Sequence, residues 1–254
     1  MIQDKKNKIS LIIPCYNEEE SLPQLFKILT EFKLIAMKSN SLEFIFVNDG
    51  SSDKTADLLP QYFSQNELFH SGVEIKIIHN KQNLNLGGAL RVGIRESGGD
   101  FVGVIDADGS YDPLLLLKMK EEFISRKVDI VSAGAHHREA KFDKIVPWWR
   151  VQISLIAQHF YNIIMLTRIR SYTSMFRLYR GDLIRKCDYK SNDFMAMAEI
   201  LVRLQLAGAK VLDYPANSRY RRFGVSKAKI LSITKAHFAF LFKLLFHRLF
   251  GTPL

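Results

Sequence analysis

Five short apolar runs rich in Ile, Val and Phe recur through the first 133 residues: ISLIIP, EFIFVND, VEIKII, DFVGVIDAD and VDIVSA. They are apolar almost throughout rather than alternating, as strands buried on both faces are. Between them lie amphipathic stretches beginning near Ser21, Ser52, Leu86 and Asp112. Ser52 and Asp112 are residue types that cap helices, and Pro113 follows Asp112 at the place where a first-turn proline is tolerated. The alternation predicts an α/β protein built on an open, mostly parallel, Rossmann-like sheet with helices on both faces. In such sheets ligands sit outside the carboxyl ends of the strands. The chain shows no internal repeat and no low-complexity linker.

Four polar clusters fall after strand-like runs or at helix starts. PCYNEEE places Pro14, Tyr16, Asn17 and Glu18 after the first run, and VNDGSSD places Asp49 after the second. A carboxylate there can accept hydrogen bonds from a base or a ribose, although each loop alone also reads as ordinary turn chemistry. NLNLGGALRVGI brings Gly87 and Gly88 to a helix start, which suits either an anion or close helix packing. DADGSYDP follows an apolar run. Asp106 and Asp108 lie two residues apart there, and two such carboxylates repel unless a cation sits between them. Mg²⁺ or Mn²⁺ is the natural occupant, because these ions bind one or two carboxylates together with substrate phosphates.

The second half differs in charge. The net charge of +10 arises from two stretches without an acid, Lys144–Gly181 with six basic residues and Tyr214–Leu254 with eight. The remainder holds 22 basic against 26 acidic residues, so the excess is regional and points to an anionic partner. Within 146–169, the 17 residues Val151–Thr167 carry no formal charge, short of the roughly 20 apolar residues that span a bilayer. Gln152, Gln158, His159 and Asn162 fall near one helical face, and Trp148, Trp149 and Arg150 suit headgroup depth, so an amphipathic interfacial helix is expected, with a core helix as the alternative. In KAKILSITKAHFAFLFKLLFHRLF, Lys229, Ser232, Lys235, Ala239, Lys243 and His247 form one stripe beside an apolar remainder. A basic amphipathic helix of this kind fits anionic lipid or the apolar surface of a membrane-protein partner. Nucleic acid is not expected, since the positive charges alternate with apolar faces. Two cysteines, Cys15 and Cys187, and no leader-like N-terminus suggest a reducing compartment.

In combination, PCYNE, VNDGSSD, the NxGG segment and DADG resemble the inverting family-2 glycosyltransferases of the GT-A fold, over residues 9 to about 230. The resemblance implies Pro14, Tyr16, Glu18, Val47 and Asp49 at the nucleoside of a GDP- or UDP-sugar. It also implies Asp106, Ala107 and Asp108 at the diphosphate and metal. Further on, Phe176, Arg177, Tyr179 and Arg180, then Glu199 and Arg203, then Arg221, Gly224, Ser226 and Lys227 are similar to motifs of the polyprenyl-phosphate glycosyltransferases, typified by dolichyl-phosphate mannose synthase. That likeness implies that Arg221 and Lys227 close over the donor diphosphate and that Arg177, with Arg180 and Arg138, holds the acceptor phosphate. One departure is Ala135, which stands where those enzymes usually carry an arginine in a GTRY-like loop; His136, His137 or Arg138 are the candidates to compensate.

The expected organisation is a GT-A domain over 1–228, with 146–169 as an interfacial helical insertion, and a membrane-associating helix over 229–254. The expected activity is metal-dependent, inverting sugar transfer to a polyprenyl phosphate by a peripheral enzyme at the cytoplasmic face of a membrane. A phosphate acceptor is already largely ionised near neutral pH, with a second pKa of about 6, and needs little base catalysis. Two alternatives stand beside it. A hydroxyl acceptor would need a base, for which Asp193 and Glu199 are the candidates. A non-catalytic subunit would bind nucleotide sugar and recruit a membrane partner.

Overall fold

The computed structural model describes residues 7–65, 72–134, 148–217 and 230–254. The five apolar runs form strands β1 (Asn7–Cys15), β2 (Asn40–Asn48), β3 (Val73–His79), β4 (Phe101–Val104) and β5 (Ile130–Gly134). Two further strands, β6 (Arg177–Arg180) and β7 (Val211–Pro215), complete a seven-stranded sheet in the order β3-β2-β1-β4-β6-β5-β7. Only β6 is antiparallel to its neighbours, β4 and β5. The expected α/β architecture, an open and mostly parallel sheet flanked by helices, is therefore present.

Side-chain alternation divides the core between the two faces of the sheet. Leu11, Ile13, Phe44 and Phe46 point to one face and meet α1 (Leu22–Ala36), α2 (Thr55–Gln65) and α4 (Leu115–Ser125). Ile12, Ile45 and Val47 point to the other, toward α3 (Asn85–Glu96) and α7 (Ala196–Leu206), which follows the short α6 (Gly181–Ile184). Each fully buried Leu, Ile or Phe contributes about 1.5–3 kcal/mol. Helix α2 starts three residues after Ser52, whose backbone N–H donates across to Asn17 Oδ1 at 2.7 Å.

The two membrane-candidate segments are helices α5 (Trp148–Met165) and α8 (Ile230–Phe250), and they pack on each other. Ala157, Tyr161 and Met165 of α5 and Phe240, Leu241 and Leu244 of α8 join the core on the α3 side. One face of each helix completes the domain, as a core helix does, while apolar residues remain exposed on the other. The expected polar face of α5 is split, since Gln158 turns its Oε1 inward and Asn162 bonds Thr167 and Ile169. On α8, Lys235 and Lys243 are exposed beside Leu231, Phe238, Phe242 and Leu249. Among the described residues, no helix is long and apolar enough to cross a membrane.

Candidate active site

In-register pairing of β1 with β2 brings their C-terminal ends level, Pro14 beside Val47 and Cys15 beside Asn48. The two following loops are tied to each other. The N–H of Asn17 donates to Ser51 Oγ at 2.9 Å, that of Glu18 to Thr55 Oγ1 at 2.8 Å, and that of Lys54 to Glu19 Oε2 at 3.0 Å. Asn17 adopts a left-handed φ of 51°, which asparagine tolerates better than most residues. The turn residues of these motifs thus hold Tyr16 and Glu18 in place.

These loops, the end of β4, the start of α3 and the start of α8 enclose a cavity of about 720 Å³. Of the residues expected at the nucleoside and diphosphate, Pro14, Tyr16, Glu18, Asp49, Asp106, Ala107 and Asp108 all line it. Asp49 is 3% exposed. Its Oδ1 accepts hydrogen bonds from Asn80 Nδ2 at 2.8 Å and the N–H of Leu84 at 2.9 Å, so this carboxylate also fixes the strand-to-helix loop that carries Asn83. The adjoining Gly50 has φ +67°, and a Cβ there would stand 2.6 Å from the backbone carbon of Gln82. Asp108 Oδ1 accepts from the Ser110 N–H at 2.9 Å and the Ser110 hydroxyl at 2.5 Å, a turn that sets the second carboxylate of the pair.

The remaining expected residues separate into three groups. Arg138, Arg221 and Lys227, with Ala135, His136 and His137, lie outside the described residues. Asp193 lines the cavity. Val47, Arg177, Arg180 and Glu199 do not line it, and each has a physical reason. Strand alternation turns Val47 into the core, where with Ile12 it meets Gly93 of α3. Arg177 is fully buried, and its guanidinium donates to Ser132 Oγ, to the carbonyls of Ser171, Tyr172 and Met197, and at 3.4 Å to the Tyr179 hydroxyl. Arg180 pairs with Asp129 and Asp182 and sits opposite Phe101, at the start of β4 and so at the wrong end of the sheet. Glu199 is buried and accepts from the N–H groups of Lys190 and Ser191 and from Arg203 Nε. Burial alone would raise its pKa, but those hydrogen bonds outweigh it and hold the carboxyl below its usual range. The structure thus places all four side chains away from the cavity: Arg177 and Arg180 among protein partners, Val47 in the core and Glu199 in a buried hydrogen-bond network.

The glycine pair has a packing role. The N–H groups of Gly87 and Gly88 donate to the carbonyl of Asn192 at 2.6 and 3.3 Å, so those amides are met by the chain itself rather than by an anion. Other lining residues were not read from the sequence, among them Asn83, Leu86, Met175 and Phe194, with Ser232 and Ile233 from α8. Asn83 was signalled by its NLNLGG context, but nothing local marks the α8 pair, which arrives from a distant part of the chain.

Electrostatics give the cavity its character. Glu18, Asp49, Asp106, Asp108 and Asp193 line it, and no Lys, Arg or His does so among the described residues. The sequence profile of the Glycosyl transferase family 2 matches residues 10–188, the span that carries the loops after β1 and β2 and the aspartate pair. The chain belongs to glycosyl transferase family 2. Curated relatives in the family include the undecaprenyl-phosphate 4-deoxy-4-formamido-L-arabinose transferases of Pectobacterium atrosepticum, 29% identical over 92% of this chain, and of Proteus mirabilis, 27% identical over 91%. The chain spans 66% and 65% of those relatives' own lengths. Among solved structures, glucosyl-3-phosphoglycerate synthase from Mycobacterium tuberculosis, crystallised with Mn²⁺, UDP and glucosyl-3-phosphoglycerate, superposes with a TM-score of 0.68. It is 16% identical, covering 98% of this chain and 81% of that one. Residues 1–349 of S. aureus TarS, crystallised with UDP, give a TM-score of 0.62 at 18% identity, covering 97% of this chain and 67% of that one. At these identities the two structures establish the shared GT-A fold.

Proposed function

We propose that the chain is a glycosyltransferase that moves a sugar from a nucleoside-diphosphate sugar to a polyprenyl phosphate. The observation that carries this reading is the placement of Asp106 and Asp108 with Asp49 and Tyr16 in one cavity, which α8 helps to line. Asp49, Tyr16, Pro14 and Glu18 take the nucleoside. UDP is the base and diphosphate favoured, because the superposed enzymes were crystallised with it. The acceptor class rests on the curated relatives, which are named for undecaprenyl phosphate.

A divalent ion fits the aspartate pair. Among the described residues, no cluster of three or more His, Cys, Asp or Glu side chains forms a metal cage. Two carboxylates completed by phosphate oxygens are how Mg²⁺ or Mn²⁺ is usually held beside nucleotides. When bound by Asp106 and Asp108, the ion would supply charge neutralisation at the leaving diphosphate. The protein's own work is to orient donor and acceptor and to keep water out. Arg221 and Lys227 bring positive charge to the diphosphate, and Arg138 to the acceptor phosphate. The phosphate attacks the anomeric carbon in line as the bond to the diphosphate breaks, which inverts that centre.

Attachment is peripheral, at the cytoplasmic face of a membrane. Phe160 of α5 and Phe238 of α8 lie 6.4 Å apart, joining the exposed apolar faces of the two helices. The charges on α8 are all positive, and each contributes about 1 kcal/mol near anionic headgroups. A hydroxyl acceptor is the second reading, favoured by one observation: Asp193 lines the cavity and would be its base. Incubating the protein with UDP- and GDP-sugars, Mn²⁺ or Mg²⁺, and either polyprenyl phosphate or polyprenol decides between them. Labelled sugar extracted into organic solvent only with the phosphate is the expected result.

A further inference from the structure

The segment Tyr189–Asn192, which delivers Asp193 and Phe194 to the cavity, is gripped by α3. Arg91 of α3 donates from Nη1 to Asn192 Oδ1 at 2.9 Å, and from Nη2 to the carbonyls of Tyr189 and Ser191 at 3.2 Å each. Its guanidinium also lies 4.7 Å from the centre of the Tyr189 ring. The Tyr189 hydroxyl donates to the carbonyl of Gly87 at 2.7 Å, and the Asn192 carbonyl receives the Gly87 and Gly88 amides. The approach is close enough that a Cβ on Gly87 would stand 2.3 Å from the Ser191 carbonyl oxygen. From the other side, Glu199 takes the Lys190 and Ser191 amides.

The same helix α3 presents Asn85, Leu86 and Ala89 to the cavity. The grip therefore fixes one wall against another, the α3 wall against the Asp193–Phe194 wall. We infer that Arg91 is a positioning residue that sets Asp193 and Phe194 in the wall of the transfer cavity, an inference that rests on the glycosyltransferase reading above. Arginine suits the task because its planar fork reaches two carbonyls and one amide oxygen at once. Arg91 is itself exposed and does not line the cavity, so its removal takes no side chain from the lining. A misplacement of about 1 Å at a reacting centre can cost 10²-fold in rate.

The test compares the full chain with Arg91→Ala and Arg91→Lys. Arg91→Ala is expected to lower kcat for transfer at least about 10-fold. UDP affinity in the presence of Mn²⁺ should stay within about twofold, because the nucleoside loops are tied to each other and not to Arg91. Amides of residues 190–194 should exchange faster with solvent while those of the sheet do not. Arg91→Lys, which keeps the charge and part of the bonding, should recover a measurable share of kcat. Wild-type transfer with unchanged kcat in Arg91→Ala overturns the inference alone. So does a loss shared equally between kcat, UDP binding and melting temperature, which would mark a merely structural residue. Absence of transfer by the wild type under every donor and acceptor overturns the glycosyltransferase reading, and the positioning role with it.

Discussion

The Tyr161 hydroxyl lies 2.9 Å from Nδ1 of His237, a buried bond that joins α5 to α8. Stacked on Tyr161 at 4.8 Å is Tyr172, and five residues before His237 comes Ser232, which lines the cavity. The contact therefore seats α8 so that one end borders the candidate active site while Leu231, Phe238 and Phe242 stay exposed. Burial of the imidazole lowers its pKa to about 4, with a smaller opposing pull from Asp193.

That shift sets an acid sensitivity. In the unfolded chain His237 takes up a proton near its ordinary value of 6.5. The folded chain resists until about pH 4, so between those values the unfolded state holds more protons and stability falls with pH. The contribution is complete above pH 6.5 and lost by pH 4, amounting to about 3 kcal/mol. Thermal melts of wild type and His237→Asn at pH 7 and pH 5 check this. The wild type should lose several degrees more on acidification, and equal losses would refute the assignment.

A second acid window lies lower. Glu43 is buried, yet the Gly98 amide, the Ser10 hydroxyl, Lys76 and Lys8 overcome the cost of burial and hold its carboxyl down at about 2. Its contribution is present above the unfolded value of 4.5 and disappears as pH falls toward 2. Glu43→Gln should be less stable than wild type at pH 7, with the difference shrinking between pH 4 and pH 2. Denaturant midpoints across that range measure it, and a constant difference would show that the charge is not responsible.

The two faces of α8 predict opposite consequences for two kinds of variant. Phe242 is 63% exposed, whereas Leu244 is fully buried in the core. Phe242→Ser with Leu249→Ser should leave the melting temperature nearly unchanged and weaken binding to anionic vesicles, since lost apolar burial costs about 1.5–3 kcal/mol per side chain. Leu244→Ala should instead destabilise the fold by about 2–5 kcal/mol. Removing residues 229–254 would do both, so point changes are the cleaner test. Vesicle sedimentation unaffected by the paired serine change would show that this face does not meet lipid.

At the aspartate pair, Asp108→Asn keeps the size of the side chain and an oxygen for the Ser110 amide but removes one anion. Mn²⁺-dependent binding of UDP should fall at least tenfold while the melting temperature holds or rises, because repulsion among the cavity carboxylates is relieved. Titration calorimetry with and without Mn²⁺ measures it. Undiminished metal dependence in the variant would remove Asp108 from the metal site.

Strand positions and the placing of Asp49, Asp106 and Asp108 were legible in the sequence because local pattern determines them: apolar runs ending in acids at strand termini. What local pattern leaves open is which partner a residue meets. RLYR forms a four-residue antiparallel strand because it fills the gap between β4 and β5, a long-range event. The periodicity of α8 marks a polar stripe but does not tell which apolar half the domain covers. The basic residues of the second half look alike in sequence, yet Arg177 is buried among carbonyls, Arg180 pairs at the far end of the sheet, and Arg170 lies near Asp213, whose carboxylate takes its N–H.

Arg177 yields the sharpest contrast with its sequence motif. Its guanidinium joins β6 to Ser132 of β5, to the 171–172 turn and to the first turn of α7 at Met197. Arg177→Lys would keep the charge but supply one nitrogen where three now reach acceptors on separate elements. Carbonyls left without donors in a buried site cost about 1–3 kcal/mol each, and a chain of this size loses about 2–4 °C per kcal/mol. A fall in melting temperature of roughly 10 °C is therefore expected. If the motif arginine instead held the acceptor phosphate, the same substitution would raise KM for the lipid acceptor with little change in stability. Melting curves together with acceptor titrations of the folded fraction separate the two. A stable variant with impaired acceptor binding would restore the ligand role that the buried hydrogen bonds argue against.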